Sequence, residues 1–380
     1  MKVLILWSGA VVPAYRQFFL ELSKHMRVRV LAPKSWTHGS VAFQGGANSP
    51  SVAGVPTANE TATTEYEFRT TAYLPKRSSR YWVPALILHL WSFRPRFLYI
   101  MDEMDRPSLT WHALSAKIAW PPVQVVCYAL QNLPAPAYYR WHHRMALGIN
   151  RLLISRGIAA SEEAEQVLKA HGFRGATRVI PLWGSENFFY PGEPLANAEF
   201  RHSLGIPENT ITLLYSGSLV EAKGLLLLIQ VLPRFPHIHF ITAGHGPLED
   251  VLREKLGKQW THLGGLEGND LRRFYQIGEY IILPSLTLDH WKEQVGRSLI
   301  EGVLCGCIAL GSDSGHIPTL TQFPETTFSQ GDQDSLAAML ARLPLPAANS
   351  IRIAQRQNVS KRFTAAAVAL ETFQFLGEDA

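Results

Sequence analysis

Short apolar runs alternate with polar, glycine-bearing segments along the chain, which is the pattern of a parallel α/β protein. Residues 2–7 (KVLILW) predict a buried strand, residues 14–25 have the apolar spacing of a helix, and residues 27–32 predict a second strand. A strand, a loop, a helix and a strand make a βαβ unit. Parallel sheets built from such units bind ligands at the carboxyl ends of their strands, so the loops that follow strands are candidate sites.

The same alternation continues to the end of the chain. Further strands are predicted at 65–74, 97–101, 123–128, 151–158, 211–215, 239–243, 280–283 and 308–310. Helices are predicted at 83–92, 138–147, 225–232, 271–278, 335–343 and 363–376, with one more capped by Ser161 and one that begins near Gly296. Residues 37–64 are rich in Gly, Ser, Thr, Pro and Ala and lack either period, so we expect a long exposed loop there.

Residues 284–318 (PSLTLDHWKEQVGRSLIEGVLCGCIALGSDSGHIP) carry most of the candidate chemistry. Glu293 and Glu301 are too far apart on one continuous helix to share a proton, so a catalytic acid and base pair is not expected. If Glu293 lies on the loop before the helix, it can face one ligand together with the amides at 295–298. Carboxylates accept hydrogen bonds from sugar hydroxyls, and a helix start suits a phosphate. The alternative is a solvated helix with two surface glutamates.

Chain length bears on the number of domains, and charge bears on the partners of the protein. A chain of 380 residues with 47% apolar residues predicts two domains with ample cores. The net charge of +5 is modest but unevenly placed. Basic residues gather in two groups, which are Lys76, Arg77, Arg80, Arg94 and Arg96, and Arg140, His142, His143 and Arg144. Each group is either a solvated face or a surface that attracts an anionic partner, such as a membrane or a phosphorylated acceptor.

Cysteine usage and the apolar runs indicate the compartment. Cys127, Cys305 and Cys307 lie in apolar segments and form no disulfide framework, which fits a reducing cytoplasm. No signal peptide is visible, and the apolar run at 83–91 is too short to span a bilayer. We therefore expect a cytoplasmic protein, with peripheral attachment to the inner face of the membrane left open.

Other strand ends carry polar residues with two interpretations each. Gly9 follows the first strand and fits either a phosphate contact or a tight turn. Asp102, Glu103 and Asp105 suit a hard cation, but an active-site rim that leads into a helix is preferred. Residues 131–132 (Gln-Asn) either bind sugar hydroxyls or cap a helix.

The segment 284–318 resembles the EX7E segment of the retaining GT-B glycosyltransferases of family 4. The Pro-Ser dipeptide, the Glu293 and Glu301 spacing, the helix end at Gly306 and the SDSG loop occur in the same order. His316 stands where a second glycine is common. The text VVPAYR at 11–16 is similar to the first loop and helix of that family.

Three more stretches resemble motifs of the same family. SGSLVEAKG at 216–224 is similar to GRL-x-x-x-KG, which places Lys223 against a diphosphate; Ser218 stands where that motif has arginine, and Arg297 is the candidate replacement. AGHGP at 243–247 is similar to a GDGP turn, with His245 in place of the acid. THLGGL at 261–266 is similar to the strand end that holds the nucleotide base through backbone groups.

The resemblance implies a GT-B fold, with two Rossmann-like domains that face a central cleft. Residues 1–188 would form the acceptor-binding domain, 189–361 the donor-binding domain, and a helix at about 362–380 would cross back. The implied catalytic residues are Glu293, Lys223 and Arg297. The implied donor-binding residues are Glu301, Gly296, Val295, Ser298, Gly217, Ser218, Gly264, Gly265, Leu266, Gly9, Gln131 and Asn132.

The implied reaction is transfer of a glycosyl group from a nucleoside diphosphate sugar to an acceptor hydroxyl, with retention of configuration. The acceptor would be a glycan, a lipid-linked sugar or a small molecule, and neither a metal nor another cofactor nor a nucleic acid is expected. Two alternatives stay open. An epimerase or hydrolase would act without an acceptor, whereas a non-catalytic nucleotide-sugar binder would explain Ser218 and the lack of a cleft histidine. A dinucleotide dehydrogenase is excluded because no G-x-G-x-x-G follows the first strand.

Overall fold

The computed structural model describes residues 1–38, 41–44, 65–74, 81–134 and 140–378. The chain divides into two compact units. The first consists of Met1–Ser185 with Ala365–Ala380, and the second of Glu186–Thr364. Each unit is built on its own parallel sheet, which confirms the predicted α/β class.

The first unit contains a seven-stranded parallel sheet in the order β5-β2-β1-β6-β7-β8-β9. The strands of this unit are β1 (Lys2–Leu6), β2 (Arg27–Pro33), β3 (Ser35–His38), β4 (Val41–Gln44), β5 (Tyr66–Thr71), β6 (Phe97–Ile100), β7 (Gln124–Ala129), β8 (Ile154–Ala159) and β9 (Ala176–Val179). Its helices up to this point are α1 (Gln17–Ser23), α2 (Leu86–Phe93), α3 (Pro107–Ala119), α4 (Trp141–Leu153) and α5 (Glu162–Ala170). Interior strands are buried on both faces, which explains runs such as VLIL in β1.

The second unit contains a six-stranded parallel sheet in the order β12-β11-β10-β13-β14-β15. Its strands are β10 (Ile211–Ser216), β11 (Ile238–Ala243), β12 (Trp260–His262), β13 (Tyr280–Leu283), β14 (Ile308–Ser312) and β15 (Thr327–Phe328). Its helices are α6 (Pro194–Ser203), α7 (Leu225–Val231), α8 (Glu249–Leu256), α9 (Gly268–Gln276), α10 (Arg297–Leu304), α11 (Ile317–Thr321), α12 (Gln333–Leu340) and α13 (Ala348–Arg362).

The last helix, α14 (Ala365–Gly377), belongs to the first unit although it follows the second in sequence. The ring of Phe373 stacks on His25 at 5.2 Å, next to the end of α1. Arg156 of β8 donates from Nη1 to the Phe375 carbonyl at 2.9 Å. These contacts anchor the C-terminal helix to the first unit.

In each sheet the strand order reverses between two neighbouring strands, β1 and β6 in the first sheet and β10 and β13 in the second. The chain passes from β10 to β11 on one side and later adds β13 on the other, so the loops after β10 and β13 leave the sheet side by side. In the first sheet the loops after β1 and β6 are related in the same way. Such topological switch points are where open α/β sheets bind ligands.

Two of the predicted elements are wrong. The loop predicted at 37–64 includes part of an antiparallel hairpin, β3 with β4, and residues 45–64 lie outside the described part of the chain. The strand predicted at 151–158 starts only at Ile154, because α4 continues to Leu153. Asn150 lies on the buried face of α4 and donates to the Met104 carbonyl at 2.8 Å, so a polar residue interrupts the apolar period.

Helices α6 and α13 were not predicted, and their composition explains why. α6 buries none of its residues, and α13 buries only Ile351, Gln355 and Val359 over fifteen positions. Gln355 is fully buried. Its Nε2 donates to the carbonyls of Ala309 (3.0 Å) and Thr321 (2.7 Å), and its Oε1 accepts from the Ala309 amide at 2.8 Å. One amide side chain therefore fastens α13 to β14 and α11.

We expect Gln355→Ala to lower the free energy of unfolding by about 2 to 4 kcal/mol, because it leaves buried backbone groups without partners. The measurement is urea unfolding of the full chain followed by circular dichroism. Gln357→Ala, at an exposed position of the same helix, is the control and should change stability by less than about 0.5 kcal/mol. Equal losses in the two variants would contradict this role for Gln355.

Candidate active site

The loops after β10 and β13 bring Lys223 and Glu293 into direct contact. Lys223 Nζ donates to Glu293 Oε2 at 2.6 Å, and Ser285 Oγ donates to the same oxygen at 2.8 Å. The Lys223 ammonium also lies 4.8 Å from the centre of the Trp291 ring. Both charged side chains are largely buried, with 20% and 10% of their side-chain surface exposed. The site thus holds a compensated charge pair at the switch point of the second sheet.

Two glycines allow close backbone contacts around this pair. Gly224 has φ +71°, and a Cβ atom there would lie 1.8 Å from the Pro284 carbonyl oxygen, so a side chain would push apart the segments that carry Lys223 and Glu293. Gly315, in the loop after β14, has φ +55°, and a Cβ atom there would lie 2.0 Å from the Glu293 carbonyl oxygen. A side chain at Gly315 would therefore displace the Glu293 backbone.

Helix α10 begins directly after this loop. Gly296 precedes it in a left-handed conformation, φ +70°, and no side chain of the described residues caps the helix by a hydrogen bond. Val295 is buried, whereas Arg297 and Ser298 are half-buried. The first amides of a helix have no intrahelical acceptor and carry partial positive charge. The amides at 295–298 thus have the chemistry of an anion site, next to the charge pair.

Glu301 lies one turn further along α10 and is buried. Tyr275 of α9 donates its hydroxyl to Glu301 Oε2 at 2.9 Å. Burial raises the pKa of Glu301 to about 7, against the opposing effects of the Arg297 charge and the Tyr275 hydrogen bond. At neutral pH this carboxyl group can therefore donate as well as accept hydrogen bonds.

The backbone predicted to hold a nucleotide base is engaged within the second unit. The Gly265 amide donates to His245 Nε2 at 2.9 Å, and the Gly264 carbonyl accepts from the Gly244 amide at 2.7 Å. Leu266 follows and is half-buried. A base that uses the Gly265 amide would have to displace the His245 imidazole.

His245, Glu249 and His262 form the set of three potential metal ligands found among the described residues, with ligand atoms within 4.8 Å of one another. His262 Nε2 lies 3.4 Å from Glu249 Oε2, and His245 Nδ1 lies 4.0 Å from it. Because His245 Nε2 accepts from the Gly265 amide, the proton of the neutral ring lies on Nδ1, the atom that faces Glu249. A metal could bind His245 only after that hydrogen bond breaks, so this arrangement fits a hydrogen-bonded network better than a metal centre.

The loop at 216–224 contains Gly217 and Ser218, the two remaining residues of the second unit that were predicted to bind the donor. The Gly217 amide donates to the Ala243 carbonyl at 2.9 Å, and Tyr215 Oη donates to the Ser218 carbonyl at 2.8 Å. The Ser218 side chain is exposed. These two hydrogen bonds fix the backbone of the loop.

The first unit contains the other predicted residues, Gly9, Gln131 and Asn132. Gly9 lies in a tight turn against the Trp7 ring, where an added Cβ would meet ring atoms at 2.5 Å. The Gln131 side chain donates to the Leu133 carbonyl at 3.1 Å. Asn132 is buried. The next described helix begins only at Trp141, so this Gln131 bond is not a helix cap.

The acidic residues after β6 hold neighbouring backbone in place. Glu103 Oε1 accepts from the Leu130 amide at 2.7 Å and the Gln131 amide at 3.0 Å, which joins the ends of β6 and β7. Asp102 accepts from the Ser108 hydroxyl in the first turn of α3. Burial raises the pKa of Asp102 to about 6 and that of Glu103 to about 8. These contacts agree with the preferred interpretation of a rim that leads into a helix.

Sequence reasoning missed the contacts of four residues. Ser285 was noted only as part of a dipeptide, although its hydroxyl donates to Glu293. Trp291 and Tyr275 gave no signal, because their contacts join segments far apart in sequence. Glu103 was noted as part of the acidic group after β6, but its hydrogen bonds to the Leu130 and Gln131 amides were not predicted.

Comparisons with known proteins agree with this architecture. Residues 196–344, within the second unit, match the family model described as glycosyl transferases group 1. The crystal structure of HepE from Anabaena in complex with UDP and glucose is similar over 100% of both chains, with a TM-score of 0.72 and 18% sequence identity. With the two parallel-sheet units, this likeness confirms the GT-B fold of two Rossmann-like domains.

Two curated proteins are similar over shorter stretches. An uncharacterized glycosyltransferase of Methanocaldococcus jannaschii is 28% identical over 124 residues, which is 30% of this chain and 30% of that protein. The sulfoquinovosyl transferase of Arabidopsis thaliana is 26% identical over 180 residues, which is 44% of this chain and 34% of that protein. The chain thus aligns with about a third of the length of these relatives.

None of the described helices combines the length and the apolar character needed to cross a bilayer.

The raised pKa of Glu301 predicts a specific pH dependence of stability. Glutamate in an unfolded chain titrates near 4.3, so between about pH 4.5 and pH 7 the folded protein binds more protons than the unfolded one. The Glu301 contribution is therefore complete below this range and is lost as the pH rises through about 7. Glu301→Gln should remove this loss, on the order of 3 kcal/mol at most.

The measurement is the melting temperature of wild type and Glu301→Gln at pH 5, 6, 7 and 8. The variant should gain stability relative to wild type with each step upward. Glu254→Gln, at an exposed position of α8, is the control and should keep a constant difference. A difference between Glu301→Gln and wild type that does not change with pH would rule out a raised pKa for Glu301.

Proposed function

We propose that this protein transfers a glycosyl group, of hexosyl type, from a nucleoside diphosphate sugar to an acceptor hydroxyl with retention of anomeric configuration. The observation that carries the proposal is the Lys223 and Glu293 pair beside the start of α10, at the switch point of the second sheet. A cation, a helix start and a carboxylate in one place match a diphosphate and the hydroxyls attached to it.

When the donor binds, Lys223 and Glu293 separate and contact different parts of it. The Lys223 ammonium and the amides at 295–298 take the diphosphate, while Glu293 turns to the sugar hydroxyls with Ser285 still oriented toward it. Glu301 takes the ribose hydroxyls on the other side of the phosphate. Arg297, whose charge acts on Glu301, supplies the second positive charge that Ser218 cannot give. Each charged group therefore exchanges one partner for another and is never left alone in a buried site.

The reaction needs stabilisation of a leaving diphosphate more than it needs a base. The bond between the anomeric carbon and the phosphate oxygen breaks, and the bond to the acceptor oxygen forms on the same face. The acceptor proton passes to the departing diphosphate. Lys223, the helix start and Arg297 stabilise the negative charge that develops on that leaving group.

Two comparisons support this substrate class. HepE from Anabaena has also been crystallised in complex with UDP-glucose, and its fold matches the whole chain. The curated relative in Arabidopsis thaliana is a sulfoquinovosyl transferase. We infer that the donor is a nucleotide sugar and that the acceptor belongs to glycan, polysaccharide or glycolipid synthesis.

Two other activities compete with transfer. An epimerase or hydrolase of the same donor would release product in the absence of any acceptor. A donor-binding protein without catalysis is favoured by one observation, the exposed Ser218 in place of a phosphate-binding arginine. Donor binding without transfer to a panel of acceptors would support that second alternative.

Lys223→Ala and Glu293→Ala should each lower transfer at least about 100-fold, because each removes a charge that acts on the reacting part of the donor. Donor consumption and product formation would be measured by mass spectrometry, with the donor first identified by thermal stabilisation with UDP-, GDP- and ADP-sugars.

Lys255→Ala is the matched control, since that lysine lies on the exposed side of α8 and pairs only with its neighbour Glu254 in the described contacts. It should keep full activity. Each test variant leaves one buried charge without its partner, so its melting temperature should fall, but both should stay folded by circular dichroism at the assay temperature. Normal turnover in either of them would refute the assignment.

Ser218→Arg should increase donor affinity by up to about tenfold, because it returns a charged hydrogen-bond donor to a diphosphate site. Isothermal titration with the identified donor at 50 and 300 mM salt would measure it, and the gain should shrink at high salt. Ser218→Ala is the control and should bind as wild type does. An arginine that leaves affinity unchanged at both salt concentrations would place the diphosphate elsewhere.

A further inference from the structure

Three helices of the first unit form one layer on the same face of its sheet. α2, α3 and α4 connect β5 to β6, β6 to β7 and β7 to β8, so all three crossings run in the same direction along the sheet. Right-handed crossovers in one direction place their helices on one face. α3 packs against both of its neighbours.

This layer exposes large apolar side chains on every helix. They are Leu88 and Trp91 of α2, Trp111 and Ile118 of α3, and Trp141, Met145 and Leu152 of α4. We call this set the outer helix face. On α4 the spacing of four and seven residues places Trp141, Met145 and Leu152 on one stripe, with Trp141 72% and Leu152 86% exposed. Elsewhere in the described chain, exposed residues such as Leu195 and Ile353 stand alone on their helices, which is ordinary for a protein surface.

The charges on this layer have one sign. The sequences of α2, α3 and α4 contain no aspartate or glutamate, whereas they contain Lys117, Arg144 and Arg151. Arg94 and Arg140 flank α2 and α4. The next helix on the same face, α5, begins with Glu162 and Glu163, so the positive character ends at α4. The outer helix face therefore combines exposed apolar side chains with positively charged ones.

Both properties match a lipid surface that carries negative charge. Tryptophan prefers the level of the lipid headgroups, because its ring is apolar and its N–H is polar. Arginine and lysine next to such rings bind anionic headgroups and lie along the apolar surface with their stems. The tryptophans are spread over three parallel helices and not gathered in one central spot, as they would be in a protein interface. A lipid bilayer is fluid and planar, so it can cover a surface on which the tryptophans are this widely spaced.

We propose that the outer helix face binds this protein peripherally to membranes that contain anionic lipids. The helices lie along the bilayer surface with Trp111, Trp141 and Leu152 at headgroup depth. The arginines beside them contact lipid phosphates. This proposal rests on the first unit alone and does not depend on the proposed transfer reaction.

The test is co-sedimentation of the full chain with vesicles of phosphatidylcholine alone or with 30 mol% phosphatidylglycerol, at 50 and 500 mM salt. We expect binding to the anionic vesicles at low salt and at least tenfold weaker binding at high salt. Binding to the anionic vesicles should fall at least tenfold in Trp141→Gln/Leu152→Gln and several-fold in Arg144→Glu.

Leu195→Gln/Ile353→Gln is the matched control, because it removes two exposed apolar side chains, 74% and 58% exposed, from the second unit. It should bind vesicles as wild type does. All variants should keep the wild-type melting temperature within a few degrees and should keep thermal stabilisation by the donor, which separates this test from that of the proposed function.

Three results with vesicles would overturn the proposal. The first is absence of binding to anionic vesicles at low salt. The second is equal binding by wild type and both test variants, and the third is equal binding of wild type to neutral and to anionic vesicles. A dimer in solution that dissociates in Trp141→Gln/Leu152→Gln, seen by light scattering, would also overturn it, since a second copy would then cover the outer helix face.

Discussion

The ion pair between Lys223 and Glu293 is the constraint on which the second unit depends. Two opposite charges in a largely buried place are tolerable only while each has a partner at hydrogen-bond distance. The 2.6 Å contact meets that condition, and it fixes how closely the loops after β10 and β13 approach. Gly224 meets the requirement of this approach, because only glycine lets the backbone come so near to Pro284, and Gly315 does the same for the loop after β14 against Glu293. The switch-point topology then places this charged pair where a ligand can reach it.

The sequence predicted elements that depend on local pattern, but it did not predict contacts between residues far apart in the chain. The buried strands of both sheets were found because parallel strands covered on both faces appear as continuous apolar runs. Lys223, Glu293 and Glu301 were found through motif spacing, and their roles toward a ligand stay predictions. Ser285, Trp291 and Tyr275 could not be found, because each acts through a contact that only the fold creates. α13 was missed for a related reason, since it is held by one buried amide, Gln355, and not by an apolar stripe.

His245, in the turn after β11, sets the hydrogen bonding of the neighbouring strand end. Its Nε2 accepts from the Gly265 amide, so the remaining ring proton of this tautomer is on Nδ1 and faces Glu249. The same ring cannot hold a metal and keep this bond. A ligand can use the Gly265 amide only after the bond to His245 breaks.

Each unit contains a buried glutamate whose pKa is raised. Glu103 in the first unit and Glu301 in the second have pKa values raised to about 8 and about 7 by burial. Glu67 and Glu165, which are paired with arginine and lysine nearer the surface, have lowered pKa values. A neutral carboxyl group accepts through one oxygen and donates through the other. Near neutral pH, Glu103 can therefore hold the amides of Leu130 and Gln131 without adding a full negative charge to that strand end. Carboxyl groups of this kind suit a ligand rich in hydroxyls better than they suit a cation. Their raised pKa values agree with the tendency of perturbed pKa values to mark functional sites.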